Sequence, residues 1–97
     1  MIRVTCRCNT IRIRGHAGYA EEGRDIVCAA VSMLVHAFVE SVDQLTEDPI
    51  SYELAPGDSR IRFGSLSREG QLLLDSFILG VEMLAKQYPE NVKIIKR

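Results

Sequence analysis

Ninety-seven residues suffice for one domain, residues 1–97, and an apolar content of 46% supports a buried core rather than a disordered chain. A formal net charge of −1 argues against a general polyanion binder, and three cysteines point to free thiols rather than a disulfide framework. Arg3, Arg7, Arg12 and Arg14 break up any apolar leader, and the apolar run over residues 26–39 is too short to cross a bilayer, so the sequence reads as cytoplasmic.

Ile2, Val4, Cys6 and Cys8 alternate with Arg3, Thr5, Arg7 and Asn9, the period of a strand with one buried face. On that pattern Cys6 and Cys8 are core fillers. Asn9-Thr10 is the expected tight turn, because Asn tolerates left-handed geometry. Ile11 and Ile13 between Arg12 and Arg14 make the second strand of a hairpin. Gly15, Gly18 and Gly23 then mark a loop of about nine residues, long for so small a chain.

Asp25 is a natural N-cap ahead of a helix over residues 26–45. Ile26, Val27, Ala30, Val31, Leu34, Val35, Phe38 and Val42 cover a wide arc, so the helix is buried on more than one side. Glu47-Asp48-Pro49 stops it. Ile50, Tyr52 and Leu54 form a third strand, Ala55-Pro56-Gly57-Asp58 a turn, and Ile61 and Phe63 a fourth strand between Arg60 and Arg62. Ser65 or Ser67 caps a second helix whose stripe is Leu73, Phe77, Val81 and Leu84, ending near Tyr88-Pro89. Gly80 inside that stripe permits close packing. Val92 and Ile94 are a short last strand. The expectation is an α+β two-layer sandwich in the order ββαββαβ, with one mixed sheet and both helices on one face. The ββα unit occurs twice, and Arg12-Ile13-Arg14-Gly15 loosely echoes Arg60-Ile61-Arg62-Phe63-Gly64.

Chemistry belongs to the first copy. With Asp25 as cap, Cys28 is the third helical residue, and a helix N-terminus carries unpaired N–H groups and partial positive charge. Both favour an anionic sulfur, and the same N–H groups can hold an oxyanion. His16 lies twelve residues upstream in the glycine-rich loop, able to shuttle a proton to Cys28 as an activated Cys–His pair. Against this stand the usual burial of cysteine in apolar helices and the negative charge of Asp25. Ser32 is one turn from Cys28 on the same face, where it orients a partner or packs. His36 is a rival base, but its eight-residue offset places it about 12 Å along the axis, too far for a direct hydrogen bond.

A zinc site from Cys6, Cys8, His16 and Cys28 matches no familiar ligand spacing, so neither a metal nor a cofactor is expected. Arg3, Arg7, Arg12, Arg14, Arg60 and Arg62 all alternate with inward positions and would share the open face of the sheet. That basic plate serves strand solubility or an acidic partner, RNA or a dimer contact; no aromatic interleaves with it for base stacking.

Gly15-His16-Ala17-Gly18-Tyr19-Ala20 followed by Asp25-Ile26-Val27-Cys28-Ala29-Ala30-Val31-Ser32 resembles the ribosomal-processing cysteine protease family, Prp. Gly80-Val81-Glu82-Met83-Leu84 and Tyr88-Pro89 extend the likeness over nearly the whole chain. The resemblance implies a homodimeric cytoplasmic endopeptidase. Its substrate would be a ribosomal protein precursor, number twenty-seven of the bacterial large subunit, from which it removes an N-terminal extension. The family's catalytic residues fall on His16 and Cys28, with Asp25 and Ser32 in support. The loop bearing Gly18, Tyr19 and Gly23 would close over the substrate. The first hairpin, with Cys6-Arg7-Cys8-Asn9-Thr10, is shorter than the family's usual form. On this reading nucleic acid is not an expected partner; the alternative is a non-catalytic ribosome-assembly module that binds RNA or a ribosomal protein through the arginines. A thiol redox or acyl-carrier role is weakest, since no C-x-x-C pair is present.

Overall fold

Alternation and helical stripes become seven elements in the computed structural model, which describes residues 1–96. They are β1 (Ile2–Arg7), β2 (Thr10–Arg14), α1 (Ile26–Leu45), β3 (Ile50–Glu53), β4 (Asp58–Phe63), α2 (Arg68–Gln87) and β5 (Val92–Lys96), the order ββαββαβ expected from the sequence. One five-stranded sheet has the order β3-β4-β2-β1-β5. It is mixed: β5 runs parallel to β1, and the other neighbours are antiparallel.

The period-two residues Ile2, Val4, Ile11, Ile13, Ile61 and Val92 are buried on one sheet face. Both helices cover that face, α1 through Val27, Val31, Val35, Phe38, Val39 and Val42, and α2 through Phe77 and Val81. Burying each such side chain contributes about 1.5–3 kcal/mol, so this single layer supplies the main driving force for folding. The Phe38 and Phe77 rings meet at 5.2 Å where the helices cross. Nearby, a Cβ on Gly80 would lie 2.8 Å from a Leu34 methyl, so the missing side chain lets the helices approach.

Four local expectations change. The first hairpin turns at Cys8-Asn9, not Asn9-Thr10, because Arg7 pairs with Thr10 and Cys8 takes the left-handed conformation at φ 51°. Cys8 is therefore exposed in the turn, and only Cys6 packs against the core. Ile26 begins α1 on its outer side and is 58% exposed, not part of the core arc. The helix runs on to Leu45 through Glu40 and Asp43, and as a whole it is long and apolar enough by length and composition to cross a membrane, where the expectation weighed only residues 26–39. Val27, Val31, Val35, Phe38, Val39 and Val42 of that helix are buried on the sheet and α2, while Ile26, Met33 and Leu45 are exposed.

The second helix is capped by Ser67, whose hydroxyl accepts from the Gly70 N–H at 3.1 Å. Asp48, from the loop after α1, accepts from both the backbone N–H and the hydroxyl of Ser67. The carboxylate fills the space a side chain on Gly70 would need. The end of the first ββα unit is thereby tied to the start of the second unit's helix.

Candidate active site

Asp25 has extended backbone (φ −87°, ψ 101°), as a cap requires, and its Oδ1 accepts from the Val27 and Cys28 N–H groups, both at 3.0 Å. Its Oδ2 turns the other way and accepts from Tyr19 at 2.9 Å and Ala20 at 3.2 Å. One buried carboxylate thus joins the glycine-rich loop to the first turn of α1. Burial pushes the Asp25 carboxyl up, but the four N–H groups of Cys28, Ala20, Tyr19 and Val27 outweigh it and hold it below the usual carboxylate range.

That lowered affinity for the proton has a signed consequence. The Asp25 contribution to stability is fully present above the unfolded carboxylate value, about pH 4, and is lost as pH falls through the lower folded value. Asp25→Asn can still cap α1 through one oxygen, but its NH2 group faces donors on the loop side. In urea titrations the variant is less stable than the parent at pH 7, and the gap closes as pH drops below about 4. A gap that stays constant over that window would exclude the ionised carboxylate as the tie.

The capping has a second effect. The Val27 and Cys28 N–H groups are engaged by Asp25, so the helix start is not the open oxyanion site expected from the sequence. The donor at the sulfur comes instead from the loop: the Ala17 N–H donates to Cys28 Sγ at 3.2 Å. The Cys28 side chain is half-buried. Because Ala17 N is bonded to the His16 carbonyl carbon, the His16 Cα lies within roughly 6 Å of the sulfur. As it stands, the exposed His16 ring lies against Gly57, where a Cβ would come within 2.8 Å of Nε2.

The backbone under His16 is clamped from distant parts of the chain. The Gly15 N–H donates to the Gly57 carbonyl at 2.9 Å, the Met1 nitrogen to the His16 carbonyl, and the Asn91 side-chain amide to the Ala17 carbonyl at 2.9 Å. Sequence patterning identified neither Asn91 nor Gly57 as part of the site. The only signal for Gly57 was its turn chemistry, and Asn91 offered none.

His16 and Cys28 open into one cavity of about 740 Å³. Gly18, Gly23, Asp25, Ser32, His36 and Gly57 also line it. Tyr19 does not: its ring turns away and packs edge-on against Tyr88 at 5.4 Å. The other two thiols lie elsewhere, around a small hollow bounded by Phe63, Leu74, Ile78 and Lys96. Burial pushes the Cys6 thiol up, with Lys96 pulling only partly the other way, so Cys6 is a poor nucleophile. Among the described residues, no three His, Cys, Asp or Glu side chains cluster as metal ligands.

Known proteins share this arrangement of chain and fold. The family model for cysteine protease Prp matches residues 1–93. The Staphylococcus aureus ribosomal processing cysteine protease Prp is 31% identical over 83 residues, covering 82% of this chain and 78% of its own length. The Bacillus subtilis protein of the same name is 28% identical over 92 residues, 88% of this chain and 82% of its own. A crystal structure of the S. aureus protease with a covalently linked product peptide superposes with a TM-score of 0.89 at 24% identity, over 99% of this chain and 97% of that one, which establishes the common fold. With a thiol in a peptide-sized cavity and a family match over nearly its full length, the chain belongs to the Prp family of cysteine proteases.

Proposed function

We propose that the chain is an endopeptidase that removes the N-terminal extension of a ribosomal protein precursor, number twenty-seven of the bacterial large subunit, through Cys28 and His16. The observation that carries this reading is the Ala17 N–H on Cys28 Sγ, which puts the His16 backbone beside the sulfur at the wall of one cavity. His16 takes the thiol proton as sulfur attacks the scissile carbonyl carbon. The Ala17 N–H, released from sulfur, donates to the oxygen that becomes negative. His16 then protonates the leaving amine, the C–N bond breaks and a thioester remains. Water gives a proton to His16 as its oxygen attacks the thioester carbon, the C–S bond breaks, and the departing thiolate takes that proton back.

Asp25 positions both partners through the loop and the helix, and Ser32 lines the wall one turn further on. Gly18 and Gly23 are the substrate-loop positions facing the cavity, while Tyr19 anchors the loop outside it. The proposed setting is cytoplasmic and homodimeric. The dimer is supported by exposed Met33 on α1 and by Leu72, Leu79 and Met83 at helical spacing on α2; sedimentation equilibrium reads the mass directly, and a monomer at micromolar concentration would remove it.

The deciding experiment is mass spectrometry of the extended precursor after incubation with the protein, untreated or pre-alkylated at its thiols. One internal cut in the untreated sample and none after alkylation is the expected outcome. Cleavage that survives full alkylation of Cys28 would overturn the mechanism.

A further inference from the structure

The face of the sheet turned away from the helices is as unusual as the cavity. Arg3 and Arg7 of β1, Arg12 and Arg14 of β2, Arg60 and Arg62 of β4, and Lys93 of β5 all alternate with helix-facing positions and project from it. The strand register lines them up in rows. Arg60 pairs with Arg12, Arg3 lies between Arg14 and Lys93, and Thr10 lies between Arg7 and Arg62. Among the described residues, seven basic side chains share the face with two acids, Glu53 and Asp58. The chain's other eleven acidic residues lie off this face, so a net charge of −1 conceals a strong separation of sign.

Like charges directly opposite each other on neighbouring strands destabilise a sheet. A surface selected for solubility alone intersperses the two signs. Here Arg12/Arg60, Arg3/Arg14 and Arg3/Lys93 are like-charge neighbours, and the ion pair formed on the face among the described residues is Arg12–Asp58 at 3.4 Å. Arg12, with Arg14 and Arg60 behind it, holds the Asp58 carboxyl below the usual range. Six of the seven cations are arginine, whose planar fork suits phosphate oxygens. Among the described residues, no aromatic anchor projects from the face, as the centre of a protein–protein contact would favour. For the same reason bases have nothing to stack on, so recognition would be confined to a phosphodiester backbone.

We infer that this sheet face, which meets the peptide-cleaving cavity at Asp58, is a docking surface for the phosphodiester backbone of folded RNA, independent of base sequence. Arg3, Arg7 and Arg62 are exposed and do not line the cavity, so they can be altered without touching the proposed catalytic machinery.

The test measures fluorescence anisotropy of a labelled RNA hairpin titrated with the full chain, with labelled poly-glutamate as the rival polyanion. The wild type binds the hairpin, and its affinity falls roughly a hundredfold between about 50 and 200 mM salt, as for about four neutralised phosphates. The triple variant Arg3→Glu, Arg7→Glu, Arg62→Glu binds at least about tenfold more weakly. It keeps its cleavage activity, and its melting temperature does not fall, because Arg3→Glu gains opposite charges on both sides. Should the reversed chain misfold, Arg→Gln at the same three positions gives the same comparison with a smaller loss. Absence of hairpin binding, equal binding by the folded variant, tighter binding of poly-glutamate, or self-association through this face would each overturn the inference.

Discussion

Cys28→Ala abolishes cleavage of the extended precursor, lowering kcat/KM by about 10⁴-fold or more, as loss of a covalent nucleophile does. The fold survives. Removing the half-buried sulfur takes away the acceptor of the Ala17 N–H and leaves the buried stripe of α1 intact. Far-UV circular dichroism is unchanged and the melting temperature shifts by a few degrees at most. Cys28→Ser separates chemistry from structure. Its hydroxyl still accepts from Ala17, so stability returns toward the parent value, but the poorer nucleophile does not restore turnover. Cleavage by the alanine variant at even a tenth of the parent rate would put the reactive group elsewhere in the cavity.

Gly57→Ala costs about a hundredfold in kcat, in line with what misplacing a catalytic group by an ångström costs. Two observations combine here. Gly57 has φ +75°, where a side chain is strained, and its added Cβ would meet His16 Nε2 at 2.8 Å. The ring must move, although the Gly57 carbonyl still holds the Gly15 N–H below it. Gly18→Ala is the control. It has a similar φ of +69° but nothing within 4 Å of the added Cβ. Both variants lose comparable stability, roughly 1 kcal/mol, and only Gly57→Ala loses most of its turnover. Equal turnover in the two would mean that the position of the His16 ring against Gly57 has no bearing on the reaction.

The fold was readable because its signals are local. Period-two alternation located all five strands, Asp25 identified itself as a cap, and Pro49 and Pro89 bounded the helices. The cap at Ser67 was one of two candidates, and the structure selects it through Asp48, a residue nineteen positions away that no local pattern implicates. The site was readable only in outline. His16 and Cys28 were named from residue chemistry and resemblance, and both open into one cavity. What holds them was hidden, because the clamps on the His16 loop come from Met1, Gly57 and Asn91, the last separated by seventy-four residues from the carbonyl it binds. The oxyanion expectation failed for a related reason. The rule that helix N-termini leave free donors holds until a cap takes them, and Asp25 takes those of Val27 and Cys28.

The link between Asp48 and Ser67 gives the two ββα units different fates. In both, the cap residue belongs to the unit itself; beside the first helix start lies a hollow, whereas beside the second a carboxylate borrowed from across the repeat boundary fills the space at Gly70. The halves are not interchangeable modules. A fragment beginning at Ile50 would lack the group that secures its own helix start, and β4 would lack its neighbour β2, so the symmetry of the repeated order does not correspond to two separable folding units.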